Sequence, residues 1–77
     1  MNNAAAGTNN IDELFLTANR GEVYARVIEH IEKDVIEKAL VFSSGNKILA
    51  AKILGINRNT LHSKIKKLKI NIERFKL

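Results

Sequence analysis

From Glu22 to Phe42 apolar residues return every three or four positions, and this stretch constrains the fold more than any other. Tyr24, Val27, Ile28, Ile31, Val35, Ala39 and Phe42 form the repeat, widened by Val23, Ile36 and Leu40. Charges fill the other positions, with Glu29→Lys33 and Asp34→Lys38 spaced as favourable i,i+4 pairs. The pattern predicts an amphipathic helix over 22–42, roughly 31 Å long at about 1.5 Å per residue. Its apolar face is too long for the remainder of a 77-residue chain to cover. Domains this small have marginal cores and usually add disulfides, a metal or a partner chain. There is no Cys, which excludes disulfides and thiolate metal sites. His30 and His62 are 32 positions apart and make no metal site, so no cofactor is expected. Self-association remains. The natural cover for the long helix is the same helix of a second copy, the alternative being a monomeric helical bundle.

The other segments read as shorter helices. Residues 1–10 lack periodicity and read as a disordered leader or linker. Asn10 is placed to cap a helix beginning at Ile11, with Ile11, Leu14, Phe15 and Ala18 on one side. Asn19-Arg20-Gly21 ends it. Leu14 and Phe15 join Tyr24, Val27, Ile28, Ile31 and Val35 as the expected dimer interface, so 11–42 reads as dimerisation helices. In Ser43-Ser44-Gly45-Asn46, Gly45 suits a left-handed helix end and Asn46 the cap of the next helix. That helix, Lys47–Leu54, is apolar around most of its circumference and is expected to be packed on several sides. After Gly55-Ile56-Asn57 comes a helix over 58–69 with a narrow stripe of Leu61, Ile65 and Leu68. The tail over 70–77 either extends this helix or folds back over the core. With no Pro and abundant Lys, Ile, Leu, Ala and Glu, the expected class is all-α: four helices in one domain over 11–77.

Charge divides the chain. Residues 1–42 hold four basic and seven acidic side chains, whereas residues 43–77 hold nine basic and one acidic, Glu73. So basic a second half points to a phosphate-bearing partner. No apolar run approaches the roughly 20 residues of a membrane span. No signal peptide is visible, and a soluble, cytoplasmic protein without a membrane partner is expected. No nucleophile–base set, phosphate loop or metal cluster appears, so neither an enzyme nor a small-molecule substrate is expected.

The spacing Ala51, Gly55-Ile56-Asn57, Leu61, Ile65 is that of a helix-turn-helix over 46–69. Ala51 sits where two helices cross. Gly55 provides the positive φ of a tight turn. Ile56 plugs the gap between the helices, while Leu61 and Ile65 hold the second one to the core. Its opposite face carries Asn59, Ser63, Lys66 and Lys67, flanked by Arg58, Thr60, His62 and Lys64, without one acid. Such a helix is free to enter a major groove.

At these residues a family resemblance becomes close. Gly45-Asn46-Lys47, then Ala50 through Leu61, then Lys64-Ile65-Lys66-Lys67-Leu68, resemble the Fis-type helix-turn-helix. That family includes the nucleoid protein Fis and the C-terminal domains of NtrC-class activators of sigma-54 RNA polymerase, response regulators of two-component systems among them. The stretch Leu54–Leu61 is especially similar to the NtrC-class version. The resemblance implies a nucleoid-associated homodimer whose two recognition helices enter successive major grooves of a near-palindromic DNA site. It implies that Arg58 pairs with guanine and that Asn57 acts as cap, base contact or both. It further implies that Thr60, Lys64 and Lys67 hold phosphates, with Asn46 and Lys47 bringing a second helix start to the backbone. Asn59, His62 and Ser63 complete the expected DNA-facing set. His62 and Ser63 stand where Fis has basic residues, and Ile48 replaces a common polar residue, so contacts there differ.

Overall fold

A computed structural model describes residues 11–77, and the expected leader over 1–10 lies outside them. Among the described residues four helices follow in order, with no strand. They are α1 (Glu13–Ala18), α2 (Val23–Phe42), α3 (Lys47–Leu54) and α4 (Arg58–Lys67), followed by a 3-10 turn over Ile72–Phe75. The class is all-α, as the composition predicts. Among the described residues no helix is long and apolar enough to cross a membrane. The chain divides into two compact units whose boundary, between Ile31 and Glu32, falls within α2.

In the first unit α1 begins two residues later than its pattern suggests. Asp12, not Asn10, is the cap, and its carboxylate accepts from the Phe15 N–H at 2.9 Å. Asp12 is the stronger choice because Glu13 follows it in the first turn, and both acids favour the positive end of the helix dipole. Of the expected interface residues here, Leu14 and Tyr24 are exposed, Ile28 and Ile31 lie just over the exposure of a surface residue, and Phe15 and Val27 are half-buried.

The second unit holds the core. Ile36, Ala39 and Leu40 of α2 meet Ala50 and Ala51 of α3, Leu61 and Ile65 of α4, and Ile70 and Phe75 of the tail. Leu40 and Leu61 are fully buried. Ala50 and Ala51 have little side chain, which lets helices cross closely at α3, as their spacing predicts. Ile56, Leu54, Leu68 and Ile72 pack around the rim. The face of α2 covered here is therefore Ile36, Ala39, Leu40 and Ser43. Val35 and Phe42, 46% and 78% exposed, lie outside it.

Three helices end in the same way. After α3 the Ile56 N–H reaches the Ala51 carbonyl at 3.0 Å and the Gly55 N–H reaches that of Lys52 at 3.2 Å, with Gly55 at φ 77°. This paired arrangement is the Schellman motif, which satisfies helix-end carbonyls. No atom crowds a Cβ placed on Gly55, so glycine is required there by the backbone angle alone. The same two bonds close α2, Gly45 to Leu40 and Ser44 to Val41. The residue directly past that helix end is Ser44, at φ 54°, one earlier than the expected Gly45. Gly45 is left-handed as well, at φ 83°, and has a second reason to be glycine: a Cβ there would meet Lys76 Cγ at 2.7 Å.

Two further expectations are corrected. The last helix stops at Lys67 rather than Lys69, because Lys69 adopts φ 57° and the Ile70 N–H turns back to the Ile65 carbonyl. Burial of Ile70 against the core drives this reversal. The tail then folds back, burying Phe75, with Arg74 3.5 Å from Glu37 of α2. Secondly, α3 is not enclosed on several sides. Its two alanines are buried, but Ile48, Leu49 and Ile53 are exposed, since the small core of the second unit takes up only the alanine side of this short helix.

Candidate nucleic-acid interface

The turn Gly55-Ile56-Asn57 brings the starts of α3 and α4 to one side of the second unit. An open depression there is lined by Asn46, Lys47, Ile48, Arg58, Asn59 and His62. No acid lines it. Two asparagines form its structural frame. The Leu49 N–H donates to Asn46 Oδ1 at 3.1 Å, and the Asn59 N–H donates to Asn57 Oδ1 at 2.7 Å. Each amide satisfies a helix-start N–H without adding charge. Of the roles weighed for Asn57, the cap is the one its side chain performs here.

The charges are arranged against the ordinary helix rule. An acid in the first turn stabilises a helix by about 0.3–1 kcal/mol, and a cation there opposes the dipole. Neither α3 nor α4 has an acid in its first turn, and their first residues are Lys47 and Arg58. Lys47 Nζ lies 3.4 Å from His62 Nδ1, an exposed contact between the two helices beside the depression. A site that assembles cations, amides and two helix starts is complementary to an anion. Local rules broken together in this way mark functional surfaces.

The remaining polar positions of α4 fall into two groups. Arg58, Asn59, Thr60, His62, Ser63, Lys66 and Lys67 are exposed, and all lie away from the buried Leu61 and Ile65. Lys64 does not belong with them. Its Nζ donates to Glu32 Oε2 at 2.6 Å, and both side chains are about one-third exposed, at 35% and 33%. This cation is engaged by α2 and turned toward the flank of the core. Ile48 was not expected in the site, yet it lines the depression; its position directly after Lys47 in the first turn of α3 is the signal that places it there. Among the described residues no group of His, Cys, Asp and Glu side chains could hold a metal.

The two helices, their Schellman turn and the projecting polar face define a helix-turn-helix. The chain belongs to the Fis family of bacterial regulatory proteins, whose description matches residues 27–68. It is 44% identical over 52 residues to the DNA-binding transcriptional regulator NtrC of Azospirillum brasilense, covering 68% of this chain and 11% of that one. It is 45% identical over 47 residues to a putative Fis-like DNA-binding protein of Ralstonia nicotianae, covering 61% of each chain. The DNA-binding protein Fis of Mannheimia haemolytica is 41% identical over 46 residues, covering 60% of this chain and 47% of that one. The match thus spans only about a tenth of the NtrC relatives, at 11% of their length. No solved structure matches significantly.

Proposed function

We propose that this chain binds double-stranded DNA in a sequence-specific manner as a homodimer, with α4 in the major groove. The observation that carries this reading is the acid-free junction of two helix starts headed by Lys47 and Arg58. Arg58, in the first turn of α4, reaches a base edge. Its planar fork suits guanine O6 and N7. Thr60 and the free amides of the first turn take a phosphate, and Lys47, Lys66 and Lys67 take others. Asn59, His62 and Ser63 lie between these groups and face the groove. Two copies pair through Leu14, Phe15, Tyr24, Val27, Ile28, Ile31 and Val35, and present their α4 helices to the halves of a near-palindromic site.

The similarity to NtrC supports a role as the DNA-binding part of a sigma-54-dependent activator acting on the nucleoid in the cytoplasm. The similarity to Fis proteins supports a second reading, an architectural protein. Titration against a random-duplex pool tests DNA binding and yields the site in one experiment. Three cations per subunit, six per dimer, give a slope near −5 for log affinity against log salt, at about 0.9 per phosphate. Sedimentation at micromolar concentration gives a dimer. A flat salt dependence, or a stable monomer bound to full-length sites, contradicts this reading. A phased-duplex mobility assay separates the two roles, since an architectural protein bends the sites it occupies.

A further inference from the structure

The 2.6 Å contact between Lys64 and Glu32 joins the proposed recognition helix to α2. It is the shortest of the ion pairs among the described residues, and it joins helices 32 positions apart in the chain. The pairs Arg26–Glu22, Lys38–Asp34 and Lys76–Glu73 are local and lie on exposed faces, where such pairs contribute little. Glu32 stands one turn before Ile36 on the core-facing side of α2, next in the chain to Ile31 of the proposed dimer stripe. Lys64 is one turn beyond Thr60 on α4. Leu61 and Ile65, its neighbours toward the core, hold α4 against α2 by apolar packing, which is non-directional. A charge-assisted hydrogen bond adds to that packing one short, defined distance between α4 and α2.

Resting on the proposed DNA reading, the geometry points to Glu32 and Lys64 as positioning residues: a strut that sets the recognition helix relative to the dimer helix, and so the spacing of the two half-sites. Lys64 is then not a phosphate ligand. The two roles predict opposite signs for one substitution. If Lys64 were a phosphate ligand restrained by Glu32, Glu32→Gln would free a cation, remove a repelling carboxylate and tighten DNA binding. If the pair is a strut, Glu32→Gln loosens α4 and weakens binding although it makes the protein more positive.

The test measures affinity of the dimer for duplexes carrying two half-sites at the selected spacing and at spacings one and two base pairs longer and shorter. Salt slopes are recorded for each variant. The unaltered protein discriminates sharply among spacings. Glu32→Gln and Lys64→Met each lower affinity at the selected spacing on the order of fivefold to tenfold per dimer, flatten the spacing preference and leave the salt slope unchanged. The double variant is no worse than either single one. The exchange Glu32→Lys with Lys64→Glu restores the preference for spacing, which a general loss of stability would not do. Circular dichroism and thermal unfolding confirm that each variant is folded at the assay temperature. Tighter binding by Glu32→Gln, or a salt slope reduced by about 1 per subunit in Lys64→Met with spacing preference intact, overturns the strut. Failure of the unaltered protein to bind any duplex is a separate result, and it removes the DNA reading on which the strut depends.

Discussion

Helices α1 and α4 begin with the same problem and solve it differently. Each start leaves backbone N–H groups without partners and carries a partial positive charge. At α1 the answer is local: Asp12 caps, Glu13 follows, and the charge is balanced within the chain. At α4 the cap is the neutral Asn57, the next residue is Arg58, and positive charge accumulates. The start of α3 repeats this with Asn46 and Lys47. The first solution completes a helix. The second leaves a helix unfinished until an anion arrives from outside. This difference, more than the total charge of the basic half, separates a surface that is merely soluble from one complementary to an anion, and it is what supports the DNA contacts proposed above.

The comparison can be broken by making α4 begin as α1 does. Arg58→Glu supplies the missing acid. Thermal unfolding is expected to show a gain of about 0.3–1 kcal/mol, a rise of a few degrees for a domain of this size. DNA affinity is expected to fall on the order of 10³-fold per dimer, because two base contacts worth about 1–3 kcal/mol each are replaced by repulsion. Gain of stability with loss of function is the signature of a helix start set aside for a ligand. A loss of both would instead make Arg58 a structural residue.

The caps sharpen the same contrast at smaller scale. Asn57→Ala removes the acceptor for the Asn59 N–H and is expected to cost about 1 kcal/mol of global stability, read by urea unfolding. Asp12→Ala removes the corresponding bond to Phe15 and is expected to fray the six-residue α1, seen as faster amide exchange there, with base preference unaltered. The smallest effect belongs to Glu13→Gln. Removing one exposed acid near a helix start should change stability by about 0.3 kcal/mol and leave the salt slope of DNA binding as it was. A changed slope would place α1 on the DNA-facing side and blur the distinction between the two kinds of start.

Much of this architecture was legible in the sequence because it rests on periodicity and on residues with few conformational options. The repeat from Tyr24 to Phe42 marks α2 to within one residue, and Asn46 and Gly55 bracket α3 at both ends. What was not legible depends on long-range packing. The end of α4 is set by Lys69 at positive φ, a conformation that lysine does not announce and that burial of Ile70 imposes. Ser44 is left-handed too, at φ 54°, directly ahead of the left-handed Gly45 that local rules favour. The folded-back tail rests on burial of Ile70 and Phe75 and is accompanied by the Glu37–Arg74 contact and the close approach of Lys76 to Gly45, none of which has a spacing signature. In the site, helical spacing placed Arg58, Asn59 and His62 together. It could not show that Lys64, on the edge of that face, is drawn to Glu32 thirty-two positions earlier.

The central claim is that the first turn of α4 reads bases while its last turn only holds phosphates, and Arg58 and Lys67 test it on one helix. Binding of Arg58→Ala, Arg58→Lys and Lys67→Ala to the selected site and to its single-base variants, at several salt concentrations, is the most direct measurement. Arg58→Ala is expected to cost about 1–3 kcal/mol per half-site and to relax the preference at one base pair. Arg58→Lys should recover charge but little of that preference, since a point charge cannot replace the planar fork. Lys67→Ala should weaken binding to every duplex by a similar factor and reduce the salt slope by about 1 per subunit. An intact base preference in Arg58→Ala, or a preference lost at a single base pair in Lys67→Ala, would contradict this docking of α4.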